Sequence, residues 1–422
     1  MIKLIRFALK QRLLTVAAAL GIAGFGVYSA MNIPIDSFPD VSNVQVQIIT
    51  EPESMATEEV EALVTFPIEN GLNGLPKVNK IRSNSSFGLS VVTAIFDDDV
   101  DVYWARNLVQ QRLSQIELPA NSAKPNLGPV VSTFSNVLSY YLTSDRHDLV
   151  ELRTIQDWQV ARRLRAVSGV GNVVSYGGYV KQYQVFVNPH TLKGYNLTLK
   201  DVINALQMNN LNAGGNFIER GGEEIIIRGL GRIENINDIK NILLKSIDGT
   251  PIKVGQIATV EIGPAFRRGS ASMDGKGETV TGMVLTRKGV NTKAVVERVR
   301  HVVEEIKKEL PEGVELHNYY DQSALVDKTI ETVKEVLTLG GSLVILVLGA
   351  ILLNIPCSLI VAVIIPLSLL FSFIMMKHTG LTANLMTLGA VDFGVIVDAG
   401  VVMVENIFRH LAEEQEKMHK GL

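Results

Sequence analysis

Three carboxylates stand inside or at the end of a stretch apolar enough to cross a membrane: Asp392, Asp398 and Glu405, in VDFGVIVDAGVVMVEN. A charge at the bilayer centre costs about 2.5 to 3.5 kcal/mol even on a translocon-derived scale, so such a group needs a partner or a function. A helix turns about 100° and rises about 1.5 Å per residue, which sets Asp398 and Glu405 within about 20° on one face and roughly 10 Å apart. Asp392 falls about 120° away from Asp398. The chemistry open to acids of this type and spacing is reversible protonation, with a proton held when the site is dry and released when water or a cation arrives. That makes them candidate proton-relay groups. The structural alternatives are hydrogen bonding to polar groups on neighbouring helices and, for Glu405, reaching water at the helix end.

Such acids need a helical bundle around them. Leu13 to Ile35 contains no charged residue, and neither does Val336 to Met376. Roughly 20 apolar residues make one span, so the first run holds one and the second two. Pro356 divides the second, because proline interrupts a helix and disfavours helical backbone before it. With the acid-bearing stretch, four spans are expected over about 13–33, 336–353, 357–376 and 383–405. MIKLIRFALKQR gives the first span a basic flank, and the following Met31-Asn32-Ile33-Pro34 lacks a small-x-small cleavage site, so it reads as a retained anchor. Lys3, Arg6, Lys10 and Arg12 at one end, and Arg409, Lys417 and Lys420 at the other, put both termini in the cytoplasm. Pro34 to Lys334 then lies on the far side.

That exported lobe has no disulfide framework, since the single cysteine of the 422 residues, Cys357, is in the membrane part. Its length suffices for a core of its own. The net charge of −3 gives no nucleic-acid signal. Alternation predicts strands at 43–50, 78–83 and 89–96, and helical periodicity predicts helices at 57–72 and 102–116. A second copy of this α+β order is read as a helix at 149–167, strands at 172–175 and 182–188, and a helix at 199–208. Glycine-rich short strands across 212–260 interrupt it. Strand character resumes at 277–287, a helix follows at 291–309, a last strand at 314–320, and 321–334 continues as helix into the second span.

Other candidate chemistry is thin. Asp97, Asp98, Asp99 and Asp101 are either oxygen ligands for a hard cation or a strand end with a helix cap, the reading favoured for aspartate here. The seven histidines are scattered and no Cys-x-x-Cys occurs, so no metal site is assigned. Met31, Met208, Met273, Met283, Met375, Met376, Met386 and Met403 offer thioethers to a soft cation, or simply fill apolar gaps. No nucleophile elbow, phosphate loop or triad is present, and no enzyme activity or cofactor is expected.

Asp392 to Asn406 is similar to the pattern DFG-x-x-x-D-G-A-x-x-x-x-E-N, and IPIDSFPDVS over 33–42 resembles the sequence that leaves the first span in the same proteins. On these residues the chain resembles the N-terminal part of the resistance-nodulation-division (RND) transporters, in their heavy-metal efflux branch. The resemblance implies a four-span α-helical bundle with a large α+β periplasmic lobe of duplicated ferredoxin-like porter subdomains and a docking insertion. It divides the chain into 1–33 (N-terminus and first span), 34–134 (first porter subdomain), 135–178 with 275–330 (second), 179–274 (docking insertion), 331–408 (remaining spans) and 409–422 (cytoplasmic tail). It implies a proton relay through Asp392, Asp398 and Glu405, a homotrimer in the bacterial inner membrane, a periplasmic adaptor and an outer-membrane channel as partners, and metal cations, protons and membrane lipid as what it handles. Ala399-Gly400 inverts the pattern's glycine-alanine, and the absence of a second aspartate after Asp398 argues against drug export. The DFG at Asp392 favours divalent zinc, cobalt, cadmium or nickel over monovalent copper or silver. A full member has about twelve spans in two halves, so this chain is expected to be a fragment or truncated product, with substrate ligands in the missing half. The rivals are an organic-solute exporter of the same superfamily and a non-transporting membrane scaffold.

Overall fold

The computed structural model describes residues 10–33, 40, 42–52, 55–119, 124–247, 249–267, 269–352, 355–384 and the pairs 402–403, 406–407 and 409–410. Helix α1 (Arg12–Asn32) is the one helix among the described residues that is long and apolar enough, by length and composition, to cross a membrane.

The first lobe unit begins with β1 (Gln45–Thr50). Helix α2 follows as two α-helical pieces, Thr57–Val60 and Phe66–Leu72, joined by a π turn at Glu61–Thr65. Then come β2 (Val78–Ser86), β3 (Leu89–Phe96), α3 (Val102–Leu113) and the short β4 (Asn126–Leu127). The strands form an antiparallel sheet in the order β2-β3-β1-β4. Alternate residues of β1 and β3, among them Ile48, Val92 and Phe96, are buried against Val64, Ile68 and Leu72 of α2 and Val109 of α3. Period-two and helical apolar patterns thus meet in one core, each element burying the face its sequence makes apolar.

The second unit opens with β5 (Val131–Ser144). Helix α4 is again two α-helical pieces, Leu149–Ile155 and Ala161–Arg165, around a π turn at Gln156–Val160, and β6 (Val170–Gly177) follows. There the chain leaves the unit. The insertion contains β7 (Lys181–Val187), α5 (Leu199–Met208), the hairpin of β8 (Ala213–Arg220) and β9 (Glu223–Gly229), the hairpin of β10 (Leu243–Ile247) and β11 (Thr250–Lys253), and β12 (Ala258–Pro264), which pairs with β7. The chain returns through β13 (Ala271–Ser272) to β14 (Glu278–Arg287), then α6 (Thr292–Glu309) and β15 (Val314–Asp321). The antiparallel sheet runs β6-β14-β5-β15. In both units the first strand lies between the third and the fourth, and the second is at the edge.

This topology corrects the expected second copy. The strands near 172–175 and 182–188 do not pair with each other, and the helix at 199–208 belongs to the insertion. Gly177 and Gly178 have φ of +72° and +61°, a conformation glycine adopts at no steric cost, and they turn the chain out of the sheet. A Cβ at Gly178 would come within 2.6 Å of Val280 Cγ2 and 2.8 Å of the Leu149 carbonyl oxygen. The edge beside β6 is therefore filled by β14. Strand β5 itself, at the centre of this sheet, went unmarked in the sequence.

From β15 the chain passes without a linker into α7 (Gln322–Leu352), and α8 (Ile355–Thr379) returns with Pro356 in its first turn, where its missing N–H costs nothing. A second proline, Pro366, sits inside α8 without ending it.

Candidate functional site

Asp392, Asp398 and Glu405 lie outside the described residues, as does most of the expected fourth span. What the structure describes is the packing of α1 on α8 and the joint between the second lobe unit and α7.

Helix α8 lies against α1. Gly26 of α1 is buried at the crossing, where a Cβ would stand 2.5 Å from Leu370 Cβ and 3.0 Å from the Leu370 carbonyl oxygen. A residue without a side chain at such a crossing lets the two helix backbones approach closely. Beyond the crossing, Ile33, Met376 and Ala383 form a small buried cluster, and Lys377 Nζ sits 4.0 Å from the centre of the Tyr28 ring. A cation over an aromatic face at a helix end suits an interface between apolar and polar surroundings.

At the joint, Asp321 ends β15 and its carboxylate serves two elements. One oxygen accepts from the Ser323 backbone N–H (2.9 Å) and hydroxyl (2.7 Å) in the first turn of α7, and the other accepts from Arg300 Nε of α6 at 2.6 Å. Lys293 of α6 pairs with Asp327 of α7 at 3.2 Å. Helix α6 is in turn anchored to the sheet by Val295, Val296, Val299 and Val303, all fully buried, and to α4 through Arg163, which reaches Glu305 and Glu309. The second unit, α6 and the start of α7 therefore form one mechanically continuous path.

Inside that unit, the fully buried Tyr140 of β5 accepts a hydrogen bond at 2.9 Å from Gln156 Nε2, which also donates to Ser175 Oγ at 3.2 Å. Gln156 is the first residue of the π turn in α4, and burial pushes the Tyr140 phenol above its ordinary range, with Gln156 opposing. Gly282 leaves room for the ring: any Cβ there would overlap Tyr140. The aspartate run resolves as cap and ion pair. Asp101 accepts from Trp104 N at 2.8 Å to start α3, and Asp99 pairs with Lys77 at 2.6 Å. Among the described residues no group of three or more His, Cys, Asp and Glu is arranged to hold a metal ion. His147, His301 and His317 each face one glutamate instead. Of the candidate methionines, Met376 is buried in the α1–α8 contact, whereas Met31 and Met208 are exposed.

Both the duplicated sheets and the helices match known proteins along the whole chain. Residues 4–421 match the AcrB/AcrD/AcrF family. The chain belongs to this RND family. It is 42% identical over 429 residues to protein HelA of Legionella pneumophila, covering 100% of this chain and 41% of that one. The cobalt-zinc-cadmium resistance protein CzcA of Cupriavidus metallidurans is 42% identical over 430 residues, covering 99% and 40%. The cation efflux system protein CusA of Escherichia coli (strain K12) is 37% identical over 421 residues, covering 98% and 40%. A crystal structure of a heavy metal efflux pump superposes with a TM-score of 0.86 at 36% identity, covering 99% of this chain and 42% of that one. The fold is thus that of an RND permease, and the chain spans about two-fifths of the length of the relatives it matches.

Proposed function

We propose that the chain is the N-terminal part of a proton-driven inner-membrane pump that exports heavy-metal cations, divalent zinc, cobalt, cadmium or nickel ahead of copper or silver. Four spans hold it in the membrane, and the two lobe units are porter subdomains on the periplasmic side, with 179–274 as the docking insertion. The pump works as a homotrimer and passes its cargo to a periplasmic adaptor and an outer-membrane channel. The hairpin β8–β9, exposed at every residue and carrying Phe217, Ile218 and Ile226, supports contact with a neighbouring protomer. The observation that carries the reading is one fold, matched from α1 through the lobe to α8 with a heavy metal efflux pump, in a chain that also has Asp392, Asp398 and Glu405 in an apolar stretch.

In this mechanism Asp398, with Asp392 beside it, takes a proton from the periplasmic side and yields it to the cytoplasm, and Glu405 at the helix end passes it on. The protonated and ionised forms favour different helix positions, because an unpaired carboxylate is costly in an apolar bundle and a neutral one is not. A proton gradient then biases the two arrangements and drives the porter units between them. The test is Asp398→Asn in the complete pump. Loss of metal resistance with normal membrane insertion is expected, and undiminished resistance would remove Asp398 from the relay.

A further inference from the structure

Both segments that join the lobe to membrane helices are held by cations from one short stretch of the second unit, the turn after β14 and helix α6. Lys288, just after β14, donates to the Ser42 carbonyl at 2.8 Å and lies 3.4 Å from Asp40, in the segment that follows α1. Lys293 reaches Asp327 inside α7, and Arg300 reaches Asp321 at the entry to α7. Lys293 and Arg300 are seven residues apart, so they project within about 20° of each other on α6. The neighbouring face of α6 is packed on the sheet by the fully buried Val295, Val296, Val299 and Val303. The cations thus belong to a body packed on the sheet; of their acidic partners, Asp40 and Asp327 lie in chain running to the membrane, and Asp321 is the last residue of β15, where it also caps the first turn of α7.

We propose that Lys288, Lys293 and Arg300 form a clamp that couples the α1 and α7 connections to the second unit, as positioning residues for the step that converts membrane-helix movement into porter movement. The proposal rests on the pump reading above. Arg300 acts through the carboxylate that also caps the first turn of α7, so a shift of that turn displaces α6. Lys288 ties the α1 exit to the same sheet through β14, the strand paired on both sides with β5 and β6. Two membrane connections that are far apart in sequence are thereby made to move together with one sheet. A lobe fixed to α7 by peptide linkage alone would leave the α1 connection free to lag.

The experiment uses the complete pump reconstituted in proteoliposomes, with zinc transport and zinc-dependent proton movement measured per assembled pump. An exposed ion pair carries little on its own, so Lys293→Asp is expected to lower the zinc rate about three- to fivefold. Lys293→Asp combined with Asp327→Lys restores the pair in reverse and returns the rate to within about twofold of wild type. Lys288→Met, Lys293→Met and Arg300→Met together lower it by more than about tenfold, with the trimer's melting midpoint changed little. Single and triple variants at the wild-type rate would overturn the clamp, and so would a reversed pair that stays as slow as its parents. Lys293→Arg, which keeps the charge, separates loss of the pair from a folding defect. A wild-type pump that moves no zinc and no protons would sink the pump reading itself. An active wild type matched by the Lys293 variants would sink the clamp alone.

Discussion

Replacing Gly26 with alanine tests the contact between α1 and α8. The new Cβ would stand 2.5 Å from Leu370 Cβ and 3.0 Å from the Leu370 carbonyl oxygen, whereas ordinary contact begins at 3.4 Å, so α1 and α8 must part locally by about 1 Å. Leu370 cannot yield by changing rotamer, because both of those atoms are fixed by the backbone. Overpacking of this kind costs about 1 to 3 kcal/mol, and association of helices in lipid depends on the close approach that would be lost. Gly21 and Gly24 on the same helix have nothing within 4 Å of their Cβ positions among the described residues, and they serve as controls. The assay is the melting midpoint of the detergent-solubilised complete pump, followed by size exclusion, together with growth on zinc. Gly26→Ala is expected to lower the midpoint and zinc tolerance, and Gly26→Val to lower them further. Leu370→Gly added to Gly26→Ala should recover part of the loss, since it removes the nearer atom and leaves the oxygen. Equal behaviour of Gly26→Ala and Gly24→Ala would refute the contact.

In the core of the second unit, Tyr140→Phe strands a buried Gln156 N–H and should destabilise by about 1 to 3 kcal/mol. Adding Gln156→Leu should cost less than the sum of the two single changes, because the stranded amide goes too; strictly additive denaturation energies in a double-mutant cycle would contradict the pairing. At the root of the insertion, Arg267 makes two hydrogen bonds to Glu278, at 2.6 and 2.7 Å, and these hold the carboxyl below its ordinary 4.5. A lowered folded-state pKa stabilises above the unfolded value and loses that contribution as pH falls through the folded one. The return segment near 267–278 should therefore open to pepsin as pH drops below 4.5, and Glu278→Gln should make cleavage insensitive to pH over that window. A wild-type profile as flat as the variant's would dismiss the clasp.

The readable features were those carried by local composition. Charge-free runs announced the helices now seen at α1, α7 and α8, and the aspartate run announced the start of α3, which Asp101 caps with its side chain. Strands β1 and β3 were legible because they bury alternate residues, and β2 pairs with β3, the next strand in the chain, whereas the two-residue β4 was not read. The second unit was misread because adjacent strands usually pair, whereas β6 waits for β14 across the whole insertion. Strand β5 escaped because it carries serine, threonine and asparagine more often than aliphatics, and register shifts interrupt its pairing. The π turns in α2 and α4 left no mark, since their residues have ordinary helical propensity.

The same distinction separates the two halves of the transport problem. An ionisable group in apolar sequence declares itself, because the energy that makes it functional is set by its immediate surroundings. A coupling contact does not. Lys288 and Asp40 are ordinary surface types in ordinary loops, and only the fold brings them together across most of the chain. Lys293 and Arg300 fit the polar stripe of any amphipathic helix. Their meaning depends on which elements the partners connect to, and that is a property of topology. Candidate proton sites can therefore be proposed from a single sequence, whereas residues proposed to couple them to the lobe have to be sought in the fold, where α1 and α7 meet a packed sheet.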